Sequence, residues 1–385
     1  MTNTWLEVSI GDAPLEIIDG DRGKAYPKHD DFSDNGYCLF LNATNVTNLG
    51  FEFTECQFIT EQKDNELRKG NLLRNDVVLT TRGTLGNAAI YGDAVPFEEM
   101  RINSGMVIMR ADSTNLLPKF LYGFLRSPNF LGQVEQLRSG VAQPQLPIRD
   151  LKKIKITLPH KSVQEQIVDI FSAYDDLIEN NNRRIQLLEE SARLLYQEWF
   201  VRLRLPGYEH TSIVDGVPEG WEKMLLGERV TLNYGKSLKA DDRIDGPFPV
   251  YGSSGIVGTH EKSLTKGPGI IVGRKGNVGS IYWCSKDFYP IDTVYFIDFE
   301  ISNLYLYYAL RHMHFISTDV AVPGLNRDFA YSRPVLLPSK QMLRSFLDVV
   351  ASFHEQIDKL DEMNQKLKAA RDLLLPRLMS GEIVV

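Results

Sequence analysis

The chain has 385 residues, enough for two or three domains that each bury a hydrophobic core. Its formal net charge of −7 argues against a protein that binds nucleic acid non-specifically and alone, because counterion release from phosphates favours basic proteins. The sequence shows no signal peptide, no apolar run near the ~20 residues of a membrane helix and only three widely spaced cysteines, so we expect a cytoplasmic protein with reduced thiols and no membrane partner.

Residues 1–158 form the first predicted lobe, in which short apolar runs alternate with turn signals. Helices are predicted at 118–125 and 130–137. Strands are predicted at 37–41, 76–81, 88–91 and 105–109. This pattern is typical of a strand-rich α+β fold.

Residues 159–205 contain the first of two long predicted helices, running from about Ser162 to Arg204. Its apolar positions alternate in steps of four and three, which is the heptad spacing of a coiled-coil seam. A helix packed only on its own lobe is the alternative. The seam positions are Ile167, Phe171, Tyr174, Ile178, Asn181, Ile185, Leu188, Ala192, Leu195 and Trp199.

The second half of the chain repeats the first. Residues 206–337 form a second lobe, with strands predicted at 269–273, 280–283 and 293–297 and a helix at 303–310. Residues 338–385 repeat the long helix 179 positions later, and Pro376 is expected to bend its last turns. We therefore predict two α+β lobes separated by two long helices, from one internal duplication with pseudo-twofold symmetry.

The two long helices are predicted to pair antiparallel, in a register where paired residue numbers sum to 545. Ile167 then faces Leu378 and Phe171 faces Leu374. The same register brings together Asn181 and Asn364, the one uncharged amide of each seam. A buried Asn pair costs stability but fixes register, so we expect these two residues to determine the alignment.

No enzyme constellation is found in the sequence. A methyltransferase tetrapeptide of the Asn-Pro-Pro-Tyr type, a complete phosphate-binding loop and a nuclease cluster of carboxylates and lysine are all missing. His312 and His314 have metal-ligand spacing, but no third ligand lies near them in sequence, so no metal site is predicted. We expect a chain without catalysis of its own.

Arg or Lys among glycines recurs at matching places in both lobes, at 81–87 and at 273–279. Glycine permits close backbone approach, and Arg can hold a phosphate or read guanine. A solvated structural turn is the alternative for each. We expect DNA contacts from loop residues of both lobes, namely Arg22, Lys24, Lys28, Arg74, Arg82 and Thr84 in the first, and Lys236, Lys239, Tyr251, Ser253, Arg274, Lys275 and Asn277 in the second.

Over almost its whole length the chain resembles the specificity (S) subunit of type I restriction-modification systems. The resemblance rests on the Trp-x5-Gly starts at Trp5 and Trp221, on the segments 248–258 and 274–279, and on the helix repeats with their ending at 374–382. One departure lies in the first lobe, where 26–30 does not match 251–255.

The resemblance implies two target recognition domains, 1–158 and 206–337, that each read one half of an asymmetric bipartite double-stranded DNA site. It implies that the coiled coil sets the spacer between the halves. Two methyltransferase (M) subunits would supply adenine methylation with S-adenosylmethionine, and motor-nuclease (R) subunits would supply ATP- and Mg-dependent restriction. A protein-interaction scaffold without base-specific contacts is the alternative function.

Overall fold

The computed structural model describes residues 5–140, 144–207, 209, 211–313, 315 and 324–385. The chain forms two compact units: unit 1 consists of Met1–Ile178 and Gln365–Val385, and unit 2 consists of Glu179–Asn364. Both long helices cross the division. Each unit therefore combines one lobe with a part of each long helix.

Unit 1 carries an α+β lobe, as the sequence predicted. The predicted strands and helices are present, with ends within two residues of the expected positions. Its elements in chain order are β1 (Leu6–Ser9), β2 (Leu15–Asp19), β3 (Cys38–Leu41), β4 (Val46–Thr47), β5 (Gly50–Phe51), β6 (Phe58–Ile59), α1 (Glu61–Glu66), β7 (Val77–Thr80), β8 (Ala88–Ile90), β9 (Met100–Ile102), β10 (Met106–Ala111), α2 (Pro118–Leu125), α3 (Pro128–Leu137), α4 (Ile148–Leu151), β11 (Lys155–Leu158) and the long α5 (Lys161–Tyr196), which continues into unit 2.

The main sheet of unit 1 has the strand order β2-β10-β7-β8 and is antiparallel throughout. Strand β10 pairs Val107 with Asp19 of β2 and Met106 with Thr80 of β7. The end of β2, the start of β10, the end of β7 and the start of β8 therefore lie at one end of the sheet. The loops at this end carry most of the predicted DNA-binding residues of the first lobe.

Both long helices pack into the core of unit 1. Helix α2 is buried along almost its whole length, and an added Cβ at its Gly123 would lie 3.1 Å from Phe171 and 3.5 Å from Leu375. Asp175 accepts ion pairs from Arg371 and from Arg126, which follows α2. The lobe and both helices of this unit therefore share one packed interior.

Unit 2 repeats this plan. Its elements are β12 (Ile213–Val214), β13 (Val217–Pro218), β14 (Glu222–Leu225), α6 (Leu226–Arg229), β15 (Asn233–Tyr234), β16 (Phe248–Gly252), β17 (Gly255–His260), β18 (Gly269–Gly273), β19 (Ile281–Cys284), β20 (Tyr289–Pro290), β21 (Val294–Ile297), α7 (Leu304–His312), α8 (Arg327–Tyr331), β22 (Pro334–Leu337) and the long α9 (Lys340–Met379), which continues into unit 1.

The sheet of unit 2 has the order β15-β21-β18-β19, the same as β2-β10-β7-β8. In each unit the strand that follows the Trp of the Trp-x5-Gly start also pairs antiparallel with the strand before the long helix, β1 with β11 and β14 with β22. Below this sheet an aromatic cluster joins Tyr305 of α7 to Phe200 and Phe346 of the long helices, with ring centroids 4.8 and 4.9 Å from Phe200.

The end of the first long helix differs from the prediction. The α-helix stops at Tyr196 and a π-helical segment, Gln197–Val201, continues it, whereas a helix to Arg204 was expected. In this segment Phe200 turns its ring onto Trp221, at 5.6 Å. We attribute the change of winding to that aromatic packing. Pro376 lies inside α9, which continues to Met379.

The long helices pair antiparallel within each unit, and all ten predicted seam positions are buried or half-buried. In unit 2, Nδ2 of Asn181 donates to Oδ1 of Asn364 at 2.9 Å, in the register that sums to 545. In unit 1, Ile167 and Leu378 join the same buried cluster. The predicted partner of Phe171, Leu374, is half-buried and packs against the cluster that contains Phe171, and the neighbouring Leu375 is a buried member of that cluster.

Candidate nucleic-acid interface

The loops at the shared sheet end form one surface in each unit. We call strand-end surface 1 the loops 20–25, 42–45, 81–87 and 103–105 of unit 1. Strand-end surface 2 consists of the loops 235–240, 252–255, 274–280 and 291–293 of unit 2. Backbone hydrogen bonds and close glycine contacts relate equivalent positions of the two surfaces.

The basic turns after β7 and β18 share one hydrogen-bond pattern. In unit 1, the N–H groups of Thr81 and Arg82 donate to the carbonyl of Gly105 at 2.8 and 3.2 Å. In unit 2, the N–H groups of Arg274 and Lys275 donate to the carbonyl of Thr293 at 3.0 and 3.1 Å. Lys275 is therefore the structural equivalent of Arg82, and Arg274 is the equivalent of Thr81.

Glycine shapes both turns at the residue after this pair. Gly83 and Gly276 have φ of 73° and 80°, in the left-handed region that a side chain disfavours. The following exposed residues are Thr84 and Asn277. Each turn thus presents one long cation and, two residues on, one short polar side chain to solvent.

The loops after β2 and β15 are also equivalent. An added Cβ at Gly20 would overlap the carbonyl of Asn103, and one at Gly235 would overlap the carbonyl of Ile291. Only glycine fits at either place. Lys24 and Lys239 each lie four residues after these glycines, in equivalent and exposed positions.

Asp21 orders the loop of unit 1. Its carboxylate accepts hydrogen bonds from the backbone N–H groups of Arg68 and Gly23, both at 2.7 Å. Burial acts to raise the pKa of Asp21, but these two N–H groups and the Arg68 guanidinium outweigh it and lower the pKa. The charged carboxylate therefore fixes the backbone that carries Arg22 and Lys24.

The sequence comparison missed the equivalent of 251–255 in the first lobe. Strands β3 and β16 each pair in parallel with the strand leading to the next loop, β9 and β20. Asn87 Nδ2 donates to the carbonyl of Val46 at 3.0 Å, and Ser280 Oγ donates to the carbonyl of Ser253 at 2.6 Å. The equivalent segment therefore begins at about residue 41, not at residue 26.

Nine of the predicted DNA-binding residues lie on the strand-end surfaces with side chains reaching solvent. Arg22 is half-exposed and pairs with Asp19 at 3.1 Å, and Arg82 and Arg274 are partly buried. The complete set is Arg22, Lys24, Arg82, Thr84, Lys236, Lys239, Arg274, Lys275 and Asn277. Lys28 is exposed too, but it lies in the loop beyond surface 1.

Three predicted residues have contacts that favour a structural role. Arg74 precedes β7 at the opposite end of the sheet, where its guanidinium donates to the carbonyls of a loop at residues 92–97 and stacks 4.2 Å from the Tyr91 ring. Tyr251 is buried, and that burial raises the pKa of its hydroxyl. Ser253 is buried as well and contributes a carbonyl to Ser280.

Residues that the sequence did not single out also lie on these surfaces. Gln145 bridges to the backbone of Arg82, and Ser104 receives a hydrogen bond from Arg22 at 3.3 Å through its carbonyl. In unit 2 the exposed Tyr234 lies between Arg274 and Arg327. No local motif marks these residues, since chain segments distant in sequence bring them together.

Within the described residues, no group of three or more His, Cys, Asp or Glu side chains is placed to hold a metal ion. His314 of the predicted His pair lies outside the described residues. No helix of the described chain is long and apolar enough to cross a membrane.

Comparison with known proteins assigns the chain to a family. The model of the type I restriction modification DNA specificity domain matches residues 3–190 and 218–368, one match for each lobe with adjoining helix. The type I restriction enzyme HindI specificity subunit of Haemophilus influenzae is 22% identical, over 98% of this chain and 99% of that protein. The MjaIX specificity subunit of Methanocaldococcus jannaschii is 22% identical, over 85% and 82%.

The fold agrees with a solved relative. The crystal structure of a type I restriction-modification system S subunit from M. genitalium superimposes with a TM-score of 0.55 at 18% identity, covering 98% of this chain and 96% of that one. Two copies of the same strand-end framework, two matches to one family model and this shared fold all agree. The chain belongs to the type I restriction-modification DNA specificity family.

Proposed function

We propose that this chain is the sequence-reading subunit of a type I restriction-modification complex, and that each strand-end surface reads one half of a bipartite DNA site. One observation carries the proposal. The backbone hydrogen bonds of the basic turns and the close approach of one glycine recur in both units, while the side chains presented there differ. Two domains that read different half-sites need such a shared backbone frame that presents different side chains.

The chemistry of the presented side chains suits DNA. Arg82 can contact guanine or phosphate, and its equivalent Lys275 can do the same as a compact charge. Thr84 and Asn277 differ in what they can bind, because the Asn amide can bond an adenine edge bidentately and a Thr hydroxyl cannot. The half-sites are therefore expected to differ in sequence, which makes the complete site asymmetric.

Partner subunits would complete the activity. We infer that two methyltransferase subunits bring S-adenosylmethionine for adenine methylation, that restriction subunits bring ATP and Mg-dependent cleavage, and that this chain has no catalysis of its own. Exposed apolar side chains on the long helices support docking of such partners. They are Leu177 and Leu373 in unit 1, and Leu187, Leu194, Val349 and Met363 in unit 2.

The long helices are proposed to set the spacer between the half-sites. Helix α5 has 36 residues and α9 has 40. At ~1.5 Å per residue they rise ~54 and ~60 Å, more than one turn of DNA at ~34–36 Å. The buried Asn pair supports this role, since a measuring element needs one fixed register.

Replacing one lobe tests the proposal. The methyltransferase subunit and this chain are expressed together in a methylation-free host, and modified bases are mapped by single-molecule sequencing. Exchanging residues 5–157 for the first lobe of a relative should change one half of the methylated site and leave the other half and the spacer intact. The same host with the methyltransferase subunit alone is the control.

Two results would overturn this function. A change in both half-sites, or in neither, contradicts the assignment of one lobe to one half-site. Absence of methylation, together with DNA binding by the assembled complex that is undetectable or insensitive to salt, would instead indicate a protein-interaction scaffold.

A further inference from the structure

At the edge of strand-end surface 2, two arginines cluster around one exposed tyrosine. Tyr234, at the end of β15, is 55% exposed. The guanidinium carbon of Arg274 lies 5.4 Å from the centre of its ring, and that of Arg327, at the start of α8, lies 5.3 Å away. These are cation–π distances. Residues more than ninety positions apart thus converge on a single ring.

Arg274 is held in place before any ligand arrives. Its Nη2 donates to the carbonyl of Asp292, and its Cζ lies 5.8 Å from the ring of Tyr295. The Tyr295 ring in turn packs edge-on against Tyr234 at 5.1 Å, and its hydroxyl donates to the carbonyl of Leu325 at 3.2 Å. The Arg274 guanidinium therefore loses little rotational freedom when it binds a ligand.

The cluster holds positive charge without a carboxylate partner. Within the described part of the chain, neither Arg274 nor Arg327 forms an ion pair, and Nε of Arg274 is buried without a hydrogen-bond partner. By contrast, Arg371 and Arg101 in unit 1 are both paired with aspartates. Two unpaired guanidinium groups on a chain of net charge −7 mark a place where an anion is favoured.

Surface 1 has a different set at the equivalent positions. By sheet pairing, Asp19 lies at the position of Tyr234. By the hydrogen bonds of the basic turns, Thr81 lies at the position of Arg274. Ile148, the first residue of α4, corresponds to Arg327, the first residue of α8. Asp19 is used to pair with Arg22. The cluster therefore belongs to the second lobe alone, although the frame beneath it is shared.

We propose that Arg274 and Arg327, aligned on Tyr234, bind a backbone phosphate of the DNA at the half-site read by the second lobe. This inference rests on the proposed function and adds an asymmetry to it. The second lobe would hold DNA through an arginine pair that acts independently of sequence and has no equivalent in the first lobe. Guanidinium groups match the phosphate oxygens in geometry and charge, and Tyr234 is a positioning residue that fixes their planes.

Salt dependence of DNA binding tests the proposal. The complete complex with its methyltransferase subunit is titrated, by fluorescence anisotropy, onto a duplex that carries the site mapped for the unaltered chain and onto a scrambled duplex. Salt is varied from about 50 to about 200 mM. Arg327→Gln should reduce the steepness of log affinity against log salt by a part of ~0.9, the value for one neutralised phosphate. The double variant with Arg274→Gln should reduce it by ~0.9 in all, because both guanidinium groups bind the same phosphate.

Arg333→Gln is the matched control. Its guanidinium also stacks on an aromatic ring, 5.7 Å from Phe329, but it adjoins β22 and not surface 2. The control should leave the slope and the affinity unchanged. Thermal unfolding of Arg327→Gln should match the unaltered chain, because Arg327 is exposed and its removal opens no cavity.

The outcomes distinguish a failure of the phosphate contact from a failure of the proposed function. Weakened binding to both duplexes, with a reduced slope and an unchanged methylated sequence, supports a phosphate contact. An unchanged slope in Arg327→Gln and in the double variant overturns it, and so does relaxed choice of one base in the second half-site at constant slope, which indicates base reading. If the unaltered complex neither binds DNA with salt dependence nor methylates a bipartite site, the proposed function itself fails.

Discussion

The Asn pair shows how one residue in each helix can determine an alignment. Asn181 and Asn364 are each only 4% exposed. Besides the bond between them, Nδ2 of Asn364 donates to Oδ1 of Asn182 at 2.9 Å. In a register shifted by one heptad these hydrogen bonds are lost, because Asn181 would face Ile357 or Arg371 and Asn364 would face Tyr174 or Leu188. The penalty for misalignment therefore exceeds the stabilisation that the pair itself provides.

Replacing one member should cost more than replacing both. Asn364→Leu leaves the Asn181 amide buried without its partner, which should lower the free energy of unfolding by about 1–3 kcal/mol. Adding Asn181→Leu should recover much of that loss. Urea denaturation measures both variants, with Asn180→Leu on the exposed face of the same helix as control. A single variant as stable as the control would contradict a role for the pair in specifying register.

At the scale of elements, the two units join lobe and helices with different chemistry at one equivalent place. In unit 1, Asp175 of α5 forms ion pairs with Arg126 and Arg371. Its equivalent in α9, 179 residues on (175 + 179), is His354. The His354 Nε2 lies 2.9 Å from the Tyr308 hydroxyl of α7, inside a box of aromatic rings. The junction is ionic in one unit and neutral in the other.

This difference predicts a pH dependence of stability that belongs to unit 2. Burial, and secondarily the Arg311 charge, lower the pKa of His354 to about 4. The unfolded chain, with an ordinary His pKa of ~6.5, therefore takes up the proton first as pH falls. The stabilisation is complete above about pH 6.5 and is lost progressively toward about pH 4, by at most ~1.4 kcal/mol per pH unit.

Urea denaturation near pH 7 and near pH 5 measures this dependence. His354→Gln should flatten the difference between the two pH values, because glutamine does not titrate. Tyr308→Phe is the matched comparison, since it removes the hydrogen bond but leaves the imidazole buried, and it should keep the slope. Equal pH dependence in His354→Gln and in the unaltered chain would show that other groups are responsible.

Elements with a strong local signal could be predicted from sequence, and long-range pairings could not. Strand β18 and helix α2 were predicted at their observed limits, because their apolar runs are bounded by glycine or proline. Strand β20 has two residues and exists only through parallel pairing with β16. Of the candidate site, the basic turns carried a repeated motif, whereas the Tyr234 cluster depends on three segments meeting in space.

Burial is the second quantity that the sequence left open. Tyr251 and Arg74 have the residue types of DNA contacts and lie in loop-like sequence. Their neighbours in the fold give both a structural role. Tyr251 packs against Phe288, and Arg74 donates to carbonyls about twenty residues further along the chain. A polar side chain in a long loop is thus a weak predictor of function until the fold of that loop is known.

At the scale of the whole molecule, the proposed role of the long helices ties the length of the DNA spacer to the number of residues in those helices. Both cross the division between units, α5 after Ile178 and α9 after Asn364. Each unit keeps its own helix contacts on its own side of that division: Asp175 with Arg371 in unit 1, and Asn181 with Asn364 in unit 2. The helices can therefore be lengthened there without disturbing either set.

Inserting one heptad at both points tests whether these helices set the spacer. Seven residues preserve the seam and add ~10 Å of helix, the rise of about three base pairs. The methylated site should keep both half-sequences and gain about three base pairs between them, as mapped by single-molecule sequencing. Insertion into α5 alone is the control, and it should abolish methylation because the paired positions no longer coincide. An unchanged spacer in the doubly lengthened chain would show that something other than these helices sets the distance.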